Sequence, residues 1–243
     1  HWRPAAEKGA VELFAAPSGL DEPDTLPVDW LKLEPAGSRG NARFPLRDPA
    51  LFTARLFRQL AGQRKISLPM PERGRRLAAC EPVGQHESQP LARLVEGMLI
   101  SSSNVQAELL GLALTRQKAS PATAPGQSAA ILLDWWRGKL PQVDWTGAVL
   151  ENHSGLGIRS RLSPRQMAAV LRATVQPPPG GTALKHLLPV AGWKGWMKDR
   201  LADPASALRV WAKTGTMNYA VGLAGFLYPD GKPPHAFAVF ISD

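Results

Sequence analysis

The stretch from Arg209 onward constrains the fold most, because its apolar residues recur at the period of β-strands rather than of helices. Three β-like runs follow one another over residues 209–217, 221–228 and 235–242. The last two flank Pro229-Asp230-Gly231-Lys232, a sequence typical of a hairpin turn. This part of the chain is therefore predicted to form an antiparallel meander.

Amphipathic helices are predicted upstream of the meander. Asp48 is a good N-cap and Pro49 suits a first helical turn, so a helix is expected from there to Gly62. Further helices are expected from Pro90 to about residue 100, over 107–113, over 127–139, and after the capping-box sequence Ser163-Pro164-Arg165-Gln166. Helices followed by a meander predict an α/β domain of the α+β kind, with helices packed on an antiparallel sheet.

Length and composition set broad limits. With 243 residues, 44% of them hydrophobic, the chain can bury one full core and a small second lobe. The single cysteine, Cys80, excludes an internal disulfide. The net charge of +9 would suit nucleic acid, an anionic membrane or an acidic polymer such as cell wall, but the arginines are spread along the chain and indicate a generally basic surface. No apolar run is long enough for a membrane span. The sequence opens at His1 with no signal-peptide pattern, so the true N-terminus is expected to lie upstream or to have been removed.

The sequence Lys213-Thr214-Gly215-Thr216 lies within the first of the three β-like runs. A cation, hydroxyls and a missing side chain on successive strand residues make a surface that can hold a peptide carboxylate. Glycine weakens a strand unless another backbone must come close, as when an extended peptide adds to a sheet edge. The alternative is a lysine and two threonines on a solvated strand beside a bulge glycine.

A second polar sequence, Ser102-Ser103-Asn104, falls at the junction between two predicted helices. Side chains at such a junction can point into a cleft, where the Ser102 hydroxyl would relay a proton and the Asn104 amide would bind a peptide group. The alternative is that these residues only cap helix ends, which Ser and Asn commonly do.

Together the two motifs resemble those of serine penicillin-binding proteins and β-lactamases. The flanking sequences are similar to D-alanyl-D-alanine carboxypeptidase/endopeptidases of the low-molecular-mass class C penicillin-binding protein family. They are MLISSSNVQAELL over 98–110, LENHSGLGIRSRLSPRQMAAVL over 150–171 and VWAKTGTMNYAVGLAGF over 210–226. The resemblance runs from about residue 46 to the C-terminus. It implies a penicillin-binding catalytic domain over 46–243, with 1–45 as the remnant of an inserted β-rich lobe.

The resemblance also implies an activity and residue roles. A serine would attack the terminal D-Ala-D-Ala bond of peptidoglycan stem peptides, form an acyl-enzyme and release it to water. The catalytic residues would be Ser102, Asn104 and Lys213. The substrate would be bound by Thr214, Gly215 and Thr216. A further layer, formed by Ser154 and Gly155, would hold these residues in position without touching the substrate. Stem peptides and β-lactams are the implied ligands, and the periplasm is the implied location, with peripheral association with membrane or cell wall left open.

Two departures from the family pattern qualify this interpretation. Asn152-His153 stand where the family usually has Asp-Gly, which raises the question of local packing there. The family's nucleophile motif, Ser-x-x-Lys, is missing from the 243 residues, and the Thr-x-x-Lys strings at 115–118 and 182–185 follow the Ser-x-Asn motif against the expected order. The nucleophile is therefore expected upstream of His1, so that the chain is incomplete at its N-terminus and inactive alone.

Other candidates carry less weight. The five histidines show no metal-ligand spacing, so neither a metal nor another cofactor is expected. The eight tryptophans, including Trp193 and Trp196, are expected in the core or at its rim rather than as a platform for sugars. Two alternative functions stay open. One is a non-catalytic module that binds peptidoglycan peptides, and the other is a basic protein that binds nucleic acid or another surface.

Overall fold

The computed structural model of the chain describes residues 2–4, 11–13, 48–74, 84–117 and 124–242. The chain divides into two units, His1–Gln85 and His86–Asp243. Across the described segments, none of the helices is long and apolar enough to cross a bilayer.

The described residues of the first unit form a short strand pair and one helix. Strand β1 (Trp2–Pro4) pairs antiparallel with β2 (Val11–Leu13), and helix α1 spans Pro49–Gln63. The predicted cap is confirmed, since the Asp48 carboxylate accepts the N–H of Leu51 at 3.0 Å. That hydrogen bond, with one from Arg73, holds the pKa of Asp48 below its ordinary value.

The second unit begins with helices. They are α2 (Leu91–Ser101), α3 (Asn104–Gln117), α4 (Pro125–Lys139) and α5 (Pro164–Ala173), and two 3-10 turns follow at Leu184–Leu187 and Gly195–Met197. The capping box predicted before α5 is present, because the side chains of Ser163 and Gln166 each bond the other's backbone N–H. The Gln166 amide also donates to the Asp144 carbonyl at 2.8 Å, which ties α5 to the loop before it.

The predicted meander is confirmed as a three-stranded antiparallel sheet. Its strands are β3 (Val210–Met217), β4 (Ala220–Leu227) and β5 (His235–Ser242), paired in that order. Helix α5 packs on β4 and β5. The prediction of helices on an antiparallel sheet is therefore correct for this unit.

The sheet has a different apolar cluster on each face, because side chains alternate along each strand. On one face, Phe226 packs with Leu171 and Leu188 into a cluster that also takes in Leu99 and Trp211. We call this the α5 face.

The opposite face carries a second cluster, in which Val210 and Ala212 pack with Ala191 and Met197. Gly225 keeps β3 and β4 close together there, since a Cβ at this position would lie 2.1 Å from the carbonyl oxygen of Trp211.

Candidate active site

The α2–α3 junction presents Ser102 and Asn104. Helix α2 ends at Ser101 and is capped by Ser102, whose backbone is left-handed (φ 54°, ψ 46°) and whose N–H donates to the Met98 carbonyl. A non-glycine residue adopts this conformation at some cost, and such residues cluster at functional sites. The weak capping bond into α3 comes from Ser103, whose hydroxyl accepts the Gln106 N–H at 3.4 Å. Ser102 is half-buried and Asn104 is exposed.

Lys213 lies on the α5 face of the sheet, the same face as Trp211 two residues earlier. Its side chain is half-buried, and its ammonium donates to the Thr214 carbonyl with an Nζ–O distance of 2.6 Å. Burial lowers the pKa of the Lys213 ammonium. A partly desolvated cation at a strand edge favours any ligand that brings a negative charge to it.

Packing brings the last turn of α2 onto the face that carries Lys213. Leu99, three residues before Ser102, belongs to the α5-face cluster. The 3-10 turn Gly195–Met197 contacts both α2 and β3. A Cβ on Gly195 would lie 3.3 Å from the carbonyl oxygen of Ile100, so this turn lies directly against the end of α2.

Thr214 and Thr216 project differently from Lys213. Alternation along β3 puts their side chains on the face opposite the lysine, where Thr214 is half-buried and Thr216 is exposed. The two hydroxyls therefore do not share a face of the sheet with the Lys213 side chain.

Gly215 is not a bulge residue. The pairing of β3 with β4 continues through it without interruption, with Gly215 opposite Gly222. A Cβ added at Gly215 would meet nothing within 4 Å, so packing within the described part of the chain does not require a glycine there. The bulge alternative does not explain this residue.

Ser154 and Gly155 belong to a loop that is attached to α3. The Glu108 carboxylate accepts the backbone N–H groups of His153 at 3.2 Å and of Ser154 at 3.0 Å. Gly155 has a left-handed backbone (φ 82°) and donates its N–H to the Asn152 side chain. Burial acts to raise the pKa of Glu108, but the hydrogen bonds from Ser154 and His153 outweigh it and hold that pKa below its ordinary value.

His153 fills a gap between α3 and α4. Its Nε2 lies 2.8 Å from the hydroxyl of Ser128, which is fully buried and lies 2.8 Å from the Thr115 hydroxyl. The imidazole covers Gly111, where a Cβ would come within 2.3 Å of the ring. Asn152-His153 therefore form a well-packed variant of this loop.

Sequence reasoning missed this polar network. Glu108, Ser128 and Thr115 sit in ordinary helical patterns, and their partners are 45, 25 and 13 residues away. The one available signal was the histidine at a position where the family has a small residue. Among residues 48–74, 84–117 and 124–242, no group of His, Cys, Asp or Glu side chains is arranged to hold a metal ion.

The network predicts a loss of stability in mild acid. Burial lowers the pKa of His153 below its ordinary 6.5, and the Glu108 charge only partly opposes this. Below pH 6.5, His153 is therefore protonated in the unfolded chain but still neutral in the folded chain. The free energy of unfolding falls as the pH drops towards the pKa that His153 has in the folded chain. The slope per proton is at most about 1.4 kcal/mol per pH unit.

Urea denaturation between pH 7.5 and 5 measures this effect. His153→Gln should flatten the dependence, because glutamine keeps a hydrogen-bonding side chain and does not titrate. An unchanged slope in His153→Gln would show that other groups cause the loss. Glu108 affects stability at lower pH than His153 does. Its contribution to the free energy of unfolding is present above pH 4.5 and is lost as the pH falls through the depressed pKa of its carboxyl group.

The fold of the second unit is that of solved penicillin-binding protein structures. The structure matches that of penicillin-binding protein 4 (DacB) from Haemophilus influenzae complexed with a β-lactam, with a TM-score of 0.65 and 24% identity, over 82% of this chain and 46% of that one. A second structure of the same protein matches with a TM-score of 0.61 and 24% identity, over 79% of this chain and 42% of that one. This likeness concerns the fold.

The chain belongs to the D-Ala-D-Ala carboxypeptidase 3 (S13) family, whose model matches residues 33–243. A carboxypeptidase of Mycobacterium tuberculosis is 29% identical over 225 residues, which is 87% of this chain and 46% of that protein. Carboxypeptidase DacB of Mycolicibacterium smegmatis is 26% identical over 218 residues, with the same shares. The chain thus spans about half the length of the curated relatives it matches.

Proposed function

We propose that this chain carries the substrate-holding part of a serine-type D-Ala-D-Ala carboxypeptidase/endopeptidase that acts on peptidoglycan stem peptides. The single observation that carries the proposal is the outer edge of β3, where outward-pointing backbone groups lie beside the half-buried Lys213 cation. Family membership supplies the peptidase class.

The outward direction follows from the hydrogen bonds of the first half of β3. The Val210 carbonyl accepts from Ala191 N–H at 2.9 Å, and the Ala212 N–H donates to the Pro189 carbonyl at 2.9 Å. Because alternate residues of a strand bond to the same side, the backbone groups two residues further, at Thr214, point to the same outer edge. An extended peptide can add to the sheet there and continue the pairing that 189–191 begins.

The other residues take roles around such a peptide. Lys213 neutralises the terminal carboxylate from one face of β3, and the hydroxyls of Thr214 and Thr216 hydrogen-bond to it from the other face, where it lies at the free edge of the strand. Gly215 gives the substrate room against the strand. At the α2–α3 junction, the Ser102 hydroxyl relays a proton and the exposed Asn104 amide binds a substrate peptide group. Ser154 and Gly155 support the site through the loop that Glu108 holds on α3.

The nucleophile is proposed to come from polypeptide outside these 243 residues. Its serine oxygen would attack the penultimate carbonyl, the terminal D-Ala would leave with the serine's proton, and water would then cleave the ester. Two facts support this: the chain has no Ser-x-x-Lys, and it covers 46% of its relatives' length. The periplasm is the proposed place of action, 46–243 the proposed part of the catalytic domain, and 1–45 the proposed remnant of an inserted lobe.

A labelled-penicillin assay tests this division of labour. The isolated chain is expected to give no covalent band on a denaturing gel, because a β-lactam acylates a serine that this chain does not supply. The matched control is a longer protein in which a segment bearing Ser-x-x-Lys precedes the same 243 residues, and it should label. Covalent labelling of the isolated chain would place the nucleophile within it and overturn the proposal.

A non-catalytic peptide-binding module is the second candidate, and the absence of Ser-x-x-Lys favours it. Both candidates bind stem peptides through β3, so binding alone does not separate them. The longer protein does: turnover of D-Ala-D-Ala peptide supports the enzyme, whereas binding without turnover supports the module.

A further inference from the structure

Two tryptophans in one loop are largely exposed to solvent. Trp193 is 63% exposed and Trp196 is 62% exposed, compared with 38% for Trp135 on α4. Large aromatic surface left in water is unfavourable, and adjacent exposed apolar side chains commonly mark a binding surface. The proposed function gives no role to either indole.

The loop that carries these tryptophans is held firmly. Its backbone bonds fold it back on itself, with Val190 and Lys194 exchanging N–H···O bonds at 3.1 and 2.9 Å. The Lys194 side chain is ion-paired with Glu96 on α2, and Gly195 turns the chain with a left-handed backbone (φ 67°). A surface fixed in this way loses little conformational entropy when a ligand binds.

The position of the loop links it to the candidate active site. The turn Gly195–Met197 lies against the carbonyl of Ile100, two residues before Ser102. A ligand on the tryptophans would therefore lie beside the α2–α3 junction. Peptidoglycan stem peptides are attached to a chain of N-acylated sugars, so one substrate has parts for both places.

We propose that Trp193 and Trp196 form a binding surface for N-acylated amino sugars, the glycan part of the substrate, and this rests on the function proposed above. Indole faces stack on the C–H faces of sugar rings, while hydroxyl and acetamido groups need polar neighbours. Polar groups of both charges are available in the same loop, because Lys198 and Asp199 follow Trp196 closely along the chain and are exposed.

Charge favours a sugar over an anionic lipid surface. The exposed cations Lys198 and Arg200 are matched by the exposed anions Asp199 and Asp203. Lys194 is already paired with Glu96. A loop without surplus positive charge gains little from anionic lipids, which attract clusters of unopposed basic residues.

Binding of N-acetylglucosamine tetramer and of stem-free glycan strands to the 243-residue chain tests the proposal by calorimetry. Trp193→Ala and Trp196→Ala are each expected to weaken binding about tenfold, since stacking on an exposed ring is lost. Thermal unfolding should be nearly unchanged, because both side chains are mostly in solvent. Trp135→Ala is the matched control and should bind like the parent chain.

Three results would overturn the proposal. The first is that the parent chain does not bind glycan. The second is that the Trp193→Ala variant binds glycan as tightly as the parent chain. The third is that the tryptophan variants lose binding to phosphatidylglycerol vesicles but keep their binding to glycan. A parallel titration with D-Ala-D-Ala peptide separates the two proposals. Glycan binding without peptide binding removes the proposed function and leaves the sugar surface standing, and the reverse result removes the sugar surface alone.

Discussion

Lys213→Ala is expected to weaken the binding of a peptide ending in D-Ala-D-Ala by roughly 30-fold or more. The lysine is a half-buried cation at the outer edge of β3. Removing it would leave the peptide carboxylate without a charge partner in a partly desolvated place. Calorimetric titration of diacetyl-Lys-D-Ala-D-Ala into the chain and its variant measures the difference.

A carboxamide version of the same peptide makes the test specific. It lacks the negative charge, so the parent chain and Lys213→Ala should bind it with similar, weak affinity. Lys185→Ala is a matched control, because Lys185 is also half-buried but belongs to the 3-10 turn Leu184–Leu187 and not to the edge of β3. If Lys213→Ala binds the free acid as well as the parent chain does, the β3 edge is not the carboxylate site.

The same substitution in two helices is expected to change stability in opposite directions. Gly111→Ala should lower the free energy of unfolding by about 2 kcal/mol or more, because the new Cβ would come within 2.3 Å of the His153 ring. Gly97→Ala should raise it by about 0.5–1 kcal/mol, since nothing lies within 4 Å of that Cβ and alanine is the better helix former. Urea denaturation at pH 7.5 measures both.

A double variant identifies the cause of the loss. His153→Gly removes the ring that a Cβ at position 111 would meet. Gly111→Ala should therefore lower the free energy of unfolding much less in the His153→Gly background than in the parent chain. Equal costs in the two backgrounds, or a Gly111→Ala that stabilises like Gly97→Ala, would show that His153 does not occupy this gap.

The parts of the fold that the sequence predicts correctly depend on neighbours along the chain. Asp48 caps α1, and Ser163 with Gln166 caps α5, through contacts spanning three residues. The strands of the sheet follow from apolar runs and one turn sequence. Helix α4 begins two residues before the predicted start, at Pro125, because proline at the first turn extended it beyond the apolar pattern.

The candidate site is less accessible from sequence, since its shape depends on contacts between distant segments. The Lys213 and Ser102 motifs are visible as short strings, but the packing of Leu99, near the end of α2, on the α5 face of the sheet is not. Alternation along β3, which the strand prediction itself implies, places the side chains of Thr214 and Thr216 on the face opposite that of Lys213. The attachment of the 150–161 loop through Glu108 has no local signature at all.

The bond between the Lys213 ammonium and the Thr214 carbonyl has a consequence for ligand recognition. A peptide that extends the sheet at β3 needs that same carbonyl for its own N–H, and its carboxylate needs that same ammonium. The carbonyl oxygen can accept a second hydrogen bond and the ammonium has two further donors, so both groups can serve a ligand while the internal bond stays in place. Under the proposed function, the internal bond would therefore hold the cation beside the backbone group that an added peptide meets, ready for a ligand that offers both a carboxylate and an N–H.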